Sequence, residues 1–316
     1  MALHPDIIVS KVLEPHWFDN KQSPHEYSNG QIPESDKREY LEKYRNHSFN
    51  MTYINSHQNK TVFEKSPSYL FDQKAAKRIK STLPKAKIIV LLRDPVERAY
   101  SYYKMVQTHF YKNGIRSFEH CIELDIKILK WAGVISENEN PAESLGSETT
   151  VNSMRIKYAW NKYTKKSIEQ REKCGGVVGR GMYALQLSLW WQTYDLKERK
   201  NQFFVMRSED LRPDVDGFIQ LKNITDFIGV SAKNITSRRK FHATKNIGPM
   251  QDGTKFRLRR LYTPFNDALV DFLGANWCDP WSWKEESLVA GTLFKPAAFV
   301  HKPATHYHGI CQPQTL

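Results

Sequence analysis

Residues 85–104 read KAKIIVLLRDPVERAYSYYK. The five apolar residues Ile88 to Leu92, rich in β-branched side chains, have the length and composition of a buried parallel strand. Pro95 ends that run, because proline disfavours helical angles at Asp94 and suits the first position of a new helix. Tyr100, Ser101, Tyr103 and Lys104 then recur at helical spacing. A strand that delivers Arg93 at its carboxyl end, with Ser101 eight residues on along the next helix, is the layout of an anion site. The guanidinium grips a phosphate with two hydrogen bonds, and the hydroxyl adds another. The plainer alternative is an ion pair between Arg93 and Asp94 or Glu97 at the helix start.

The rest of the chain bounds what that anion could be. With 316 residues, 40% hydrophobic and 26% charged, there is enough chain to bury a large core. A formal charge of +13 favours a polyanionic partner such as a nucleic acid, a membrane surface or an acidic polysaccharide, against the alternative of a merely solvated basic surface. No helix-turn-helix or RNA-binding aromatic signature appears, so nucleic acid explains the charge and nothing else. No apolar run approaches a membrane span, and no secretory signal opens the chain. Cys121, Cys174, Cys278 and Cys311 lack metal-type spacing, so no metal is expected. Sequons at Asn46, Asn50, Asn59, Asn223 and Asn234 exceed chance placement and hint at a lumenal protein.

Three further stretches carry chemistry. Ile7 to Val9 reads as a strand leading to Glu14-Pro15-His16-Trp17-Phe18-Asp19, where two titratable groups two residues apart suit acid–base work. Thr61 to Tyr69 reads as a strand ending in Glu64-Lys65-Ser66-Pro67, with Lys65 exposed at its end. Between Ser237 and Arg260 lies the most basic region, interrupted by the loop Thr244-Lys245-Asn246-Ile247-Gly248-Pro249-Met250, whose backbone N–H groups and lysine can cradle phosphate oxygens. Gly175 to Gly181, GGVVGRG, fits neither common phosphate-loop pattern and reads as a flexible lead-in to a helix. Residues 21–58 read as a polar surface excursion with one helix near Asp36 to Arg45. The last helix, Lys255 to Leu273, is expected to turn Phe256, Leu261, Phe265, Leu269 and Phe272 inward. His301, His306, His308 and Cys311 fall in a Pro- and His-containing terminal stretch that reads as disordered rather than as a ligand set.

The motifs in order resemble a family. R-D-P-V-E-R-x-Y-S-x-Y, from Arg93 to Tyr103, resembles the 3′-phosphate signature of sulfotransferases, which use 3′-phosphoadenosine 5′-phosphosulfate as donor. L-H-P-D followed by E-x-H-x-F-D is similar to the catalytic segment of heparan-sulfate-type and related carbohydrate sulfotransferases. E-K-[ST]-P-x-Y is a family pattern as well. N-[IL]-G-P-M followed by Y-x-P-F-N-x-x-L most resembles the N-acetylgalactosamine 4-sulfate 6-O-sulfotransferase branch, which acts on chondroitin-type chains. The resemblance implies that Arg93 and Ser101 hold the donor's 3′-phosphate, and that Thr244, Lys245, Asn246 and Gly248 close over its nucleotide. Many members of that branch have a basic pair where this chain has Lys245-Asn246. The resemblance further implies that Glu14 is the general base, with His16 beside it in the acceptor site and Lys65 supplying positive charge. Related enzymes carry cysteines near Cys121 and Cys174, which implies a disulfide there, the alternative being two separate thiols.

The fold class implied is α/β: a three-layer, P-loop-NTPase-like fold with a central parallel sheet, N-terminally truncated. The family opens with a strand and a K-x-G-T-like loop around the 5′-phosphosulfate, and Met1 falls where that loop has already passed. The expected organisation is a sulfotransferase domain over 1–286 and a poorly ordered tail over 287–316. The expected function is sulfuryl transfer to a hydroxyl of an anionic glycan in the Golgi lumen, with any membrane anchor upstream of this chain. The alternative is an inactive nucleotide- or glycan-binding relic of that fold. A P-loop kinase would share the architecture but needs a Walker-type lysine, which the sequence lacks.

Overall fold

The structure is a computed structural model that describes residues 4–19, 30–110, 116–141, 154–170, 174–211, 217–231, 248–274, 277, 280, 281 and 283. Strand β1 (Ile7–Val9) leads through α1 (Glu34–Ser48) and α2 (Met51–Ser56) to β2 (Thr61–Phe63). Helix α3 (Gln73–Thr82) precedes β3 (Ile88–Leu92). Between β3 and β4 come α4 (Pro95–Phe110), α5 (Phe118–Ala132), α6 (Met154–Glu169), α7 (Tyr183–Trp191) and α8 (Leu196–Gln202). Strand β4 (Phe203–Arg207) is followed by α9 (Gly217–Ile228), α10 (Asp252–Asp267) and α11 (Leu269–Leu273). The chain divides into two compact units, residues 1–93 with 189–243, and residues 94–188 with 244–316.

All the described strands lie in the first unit, and every pairing is parallel: β1 with β2, and β3 with β4. Parallel partners cannot be joined by a hairpin, so helices fill the connections, as expected of an α/β chain. The hydrogen bonds form two separate pairs rather than one continuous ladder among the described residues. In β3 Val90 and Leu92 are buried, whereas Leu91 is 52% exposed. Side chains alternate across a strand, so the expected fully buried run is half-buried. The second strand also stops earlier than expected, at Phe63, because residues 64–71 turn away from the ladder and put their polar side chains to other uses.

The segment expected to be a surface excursion instead supplies core. Tyr40 and Tyr44 on α1 are buried, and Phe18 lies 4.8 Å from Tyr44 and 5.7 Å from Tyr69, centroid to centroid. Trp17 meets Tyr40 edge-on at 5.6 Å. Burying one such aromatic is worth about 2–3 kcal/mol, so the residues after Glu14 are anchored firmly. Helix α3 begins at an Asp72 cap that accepts from the Lys74 N–H at 2.9 Å, and its buried Arg78 donates to the Phe18 carbonyl at 2.7 Å. Near the other strand pair, Asp195 and Glu198 form a capping box on α8. Gly229, at φ +81°, ends α9 in the left-handed region, as its sequence position predicts.

In the second unit, α5 is capped by Ser117 and ended by Gly133 at φ 80°, and it packs on α6. Cys121 and Cys174 form a disulfide, the pairing the resemblance implies. Cys278 and Cys311 lie outside the described residues. On α10 the inward stripe is Leu258, Leu261, Tyr262 and Phe265, continuing to Leu269, and Phe256 is 65% exposed. This corrects the sequence expectation: Phe256 lies two residues from Leu258, about 200° around the helix, off the stripe that the other four define.

Candidate active site

The register of the first strand pair ends at Val9↔Phe63. Parallel strands release their chains at the same end, and in α/β proteins that is where ligands bind. Glu14 and His16 follow β1, and Lys65 follows β2, so the three residues singled out for catalysis emerge together. Lys65 Nζ lies 2.9 Å from Glu14 Oε1, and His16 Nε2 lies 3.5 Å from Glu14 Oε2. The carboxylate of Glu14 is bracketed by the Lys65 ammonium and the His16 ring while remaining 35% exposed, open to a reactant.

The residues that hold this group are not among the expected catalytic ones. His16 Nδ1 hydrogen-bonds Asp19 Oδ2 at 2.7 Å, which fixes the ring and turns Nε2 towards Glu14. Asp19 raises the His16 pKa above the usual histidine value, against burial and with help from Glu14. His16 sits at φ 51°, a left-handed conformation uncommon for a non-glycine residue. Ser66 Oγ accepts the His16 N–H at 3.0 Å, and the Tyr69 hydroxyl accepts those of Trp17 at 3.2 Å and Phe18 at 3.4 Å. Glu64, pushed up to about 7 mainly by burial, accepts from the Ser66 hydroxyl at 3.1 Å. The signal was in the quoted motifs, since Asp19 closes E-x-H-x-F-D and Glu64, Ser66 and Tyr69 lie in E-K-[ST]-P-x-Y.

Arg93, exposed, follows directly on β3, whose last registered pair is Leu92↔Arg207. Arg207 is engaged by Asp210 at 2.9 Å. In the second unit, Asp94 Oδ1 caps α4 by accepting from Val96 N at 2.8 Å and Glu97 N at 3.1 Å, while Oδ2 accepts from Trp283 Nε1 at 2.9 Å. Ser101, half-buried, stands in the second turn of α4. Its neighbour Tyr100 donates to the Gly248 carbonyl at 2.9 Å, which ties the described end of the predicted nucleotide loop to the helix that carries Ser101. Thr244, Lys245 and Asn246 lie outside the described residues, as do His301, His306, His308 and Cys311. Among the described residues no three His, Cys, Asp or Glu side chains group as metal ligands.

The glycine-rich stretch at Gly175–Gly181 already holds an anion of its own. Asp125, fully buried on α5, accepts from Gly176 N at 2.9 Å, Val178 N at 2.6 Å and Gly179 N at 3.1 Å. Tyr163 donates to the same carboxylate at 3.0 Å. A Cβ at Gly179 would fall 2.2 Å from the Tyr163 hydroxyl oxygen, so only glycine fits. The stretch is a clamped structural loop, not the flexible lead-in its composition suggests.

A parallel α/β scaffold that gathers a carboxylate, an imidazole and a lysine at the carboxyl ends of its strands has the layout of a ligand site. A sulfotransferase from Alicyclobacillus acidocaldarius has a similar fold, with a TM-score of 0.50 at 19% identity, over 87% of this chain and 89% of that one. The family model described as the sulfotransferase domain matches residues 14–257, and the chain belongs to that family. Among its relatives, bifunctional heparan sulfate N-deacetylase/N-sulfotransferase 1 of Caenorhabditis elegans is 22% identical over 72% of this chain and 24% of its own length. Human carbohydrate sulfotransferase 15 is 24% identical over 64% of this chain and 32% of its own length. A shorter match, to bifunctional heparan sulfate N-deacetylase/N-sulfotransferase 4 of Mus musculus, is 50% identical over 48 residues, 15% of this chain and 6% of that protein. The chain therefore spans less than a third of the length of these curated relatives.

Proposed function

We propose that this chain transfers a sulfuryl group from 3′-phosphoadenosine 5′-phosphosulfate to a hydroxyl of an anionic, glycosaminoglycan-like chain. Glu14 takes the proton of the acceptor hydroxyl as its oxygen attacks sulfur in line. The bond from sulfur to the 5′-phosphate oxygen breaks, and adenosine 3′,5′-bisphosphate leaves. Lys65 and protonated His16 offset charge on the moving sulfuryl group, the positioning and electrostatic role that such transfers demand. Arg93 and Ser101 hold the 3′-phosphate, and the Thr244–Gly248 loop closes on the nucleotide.

The observation that carries this reading is the Glu14–Lys65–His16 group at the shared end of β1 and β2. The names of the relatives point to heparan sulfate and to other carbohydrates as acceptor classes. The N-I-G-P-M and Y-T-P-F-N patterns favour a chondroitin-type acceptor, and the charge of +13 suits any such polyanion. A Golgi-lumenal setting is supported by the five sequons and by the Cys121–Cys174 disulfide, since disulfides persist in oxidising compartments. No described helix is long and apolar enough to cross a membrane.

The test is transfer of radiolabelled sulfate from the donor to chondroitin-type and heparan-type acceptors, with Glu14→Gln as control. Wild-type rates in the Glu14 variant would overturn its assignment as base. No transfer to any glycan would overturn the function.

A further inference from the structure

We infer that Glu64 is a positioning residue for the catalytic segment, acting through the hydroxyls of Ser66 and Tyr69 on three successive backbone N–H groups. A hydroxyl has one proton and two lone pairs. Ser66 Oγ spends its proton on Glu64 Oε2 at 3.1 Å, which leaves a lone pair for the His16 N–H at 3.0 Å. Tyr69 also faces the Glu64 carboxyl with its hydroxyl, while accepting from the N–H groups of Trp17 at 3.2 Å and Phe18 at 3.4 Å. One half-buried carboxyl thus orients both hydroxyls, and they hold the chain where His16 takes its left-handed φ of 51°.

Backbone in that region persists only where its surroundings over-determine it, and such strain is typical of functional sites. Here the consequence falls on the neighbours: the turn aims the His16 ring at Glu14 and at Asp19. Asp19, His16 and Tyr44 are the other titratable groups whose charges are felt at or from Glu64, and none of them replaces its role as acceptor for the two hydroxyls. Ser66 and Tyr69 are therefore placed by the E-K-[ST]-P-x-Y motif to support the residue pair presented by the other strand.

The kinetic consequence rests on the proposed sulfuryl transfer, but the test does not depend on it alone. Ser66→Ala, Tyr69→Phe, Ser66→Thr and Glu64→Gln are compared in the whole chain by NMR titration of the His16 imidazole. Binding of adenosine 3′,5′-bisphosphate and kcat are measured alongside. Ser66→Ala and Tyr69→Phe remove no charge at neutral pH, so a His16 midpoint that falls towards the free value of about 6.5 reports a displaced ring. The expected result is that fall, with kcat reduced about 10–100-fold and nucleotide affinity within about twofold, since small misplacements of reacting groups cost rate steeply. Ser66→Thr, which keeps a hydroxyl, retains the wild-type titration. If Ser66→Ala does not fold, Tyr69→Phe and Glu64→Gln carry the comparison. A His16 midpoint unmoved in every variant overturns the inference, whatever happens to thermal stability. If the midpoint shifts as expected but the wild type transfers no sulfate, the positioning stands and the proposed reaction falls.

Discussion

Asp125 Oδ2 lies 2.6 Å from the backbone nitrogen of Val178, inside a unit whose own core surrounds them both. The carboxylate also satisfies Gly176 and Gly179, so three buried N–H groups depend on one side chain. An unsatisfied buried donor costs about 1–3 kcal/mol. Asp125→Ala is therefore expected to lower stability by roughly 3 kcal/mol or more. Asp125→Asn fares little better, because its NH2 faces donors. Urea unfolding checks both, and a loss under about 1 kcal/mol would show that the clamp is dispensable.

The disulfide one helical turn away, Cys121 to Cys174, ties the same loop to the same helix across a sequence separation of 53 residues. Reduction should remove about 2–4 kcal/mol, chiefly by freeing the unfolded chain. Because Asp125 holds the loop independently, the reduced protein should keep its helical circular-dichroism spectrum at 25 °C. Thermal melts with and without reductant test this. Loss of helix on reduction at that temperature would mean the covalent link is essential.

Stability should fall as pH rises from about 4.5. Glu64 keeps its proton in the folded state up to about 7, whereas the unfolded chain loses it near 4.5. The folded state then binds more protons, so the slope is negative across that window, worth on the order of 3 kcal/mol. His16, raised mainly by its hydrogen bond to Asp19, adds stability that is full below 6.5 and is lost as pH rises through its higher folded value. Glu64→Gln should flatten the part between 4.5 and 7 and leave the part above. Denaturant titrations at several pH values would show it, and an unchanged slope in the variant counts against a neutral Glu64.

Lys65→Ala should lower kcat about 10²–10³-fold while leaving nucleotide binding nearly intact, if, as proposed, its charge is offered to the transferring group rather than to the nucleotide. Lys65→Arg should recover part of the rate. Steady-state rates together with calorimetry on adenosine 3′,5′-bisphosphate separate the two effects. A Lys65→Ala variant that fails only in nucleotide affinity would move this residue into the donor site.

Arg93→Ala and Ser101→Ala should each weaken adenosine 3′,5′-bisphosphate about 10–100-fold and leave adenosine 5′-phosphate nearly unaffected. The selectivity is the test, because only one of these nucleotides carries the 3′-phosphate. Equal losses for both would place Arg93 and Ser101 elsewhere than at that group.

The strands and helices were legible in the sequence wherever pattern and punctuation agreed. Ile88–Leu92 before Arg93-Asp94-Pro95 is the plainest case, and Gly229 after Ile228 another. Phe256 misled because a basic helix with few apolar residues leaves the phase of its stripe ambiguous until Tyr262 is known to be inside. The acid, the imidazole and the lysine could be nominated from their motifs, and the parallel register explains why they meet. The supporting residues lie within the same motifs, but what Ser66 and Tyr69 do could not be read from them, because their hydroxyls accept from backbone N–H groups far from them in the chain. Asp19, by contrast, meets its partner, the His16 ring, only three residues away. Asp125 left no trace in the sequence for the same reason: a lone aspartate on an amphipathic helix gives no sign that it faces three amide groups.

Strand β3 is complete at Leu92, yet its partner begins only at Phe203. During synthesis at roughly 10 residues per second, β3 therefore waits on the order of ten seconds on the ribosome before β4 exists to pair with it. Its unpaired hydrogen-bonding edge, and the Val90 and Leu92 side chains that the fold later buries, are open in the nascent polypeptide for that interval, when chaperones have the most to shield.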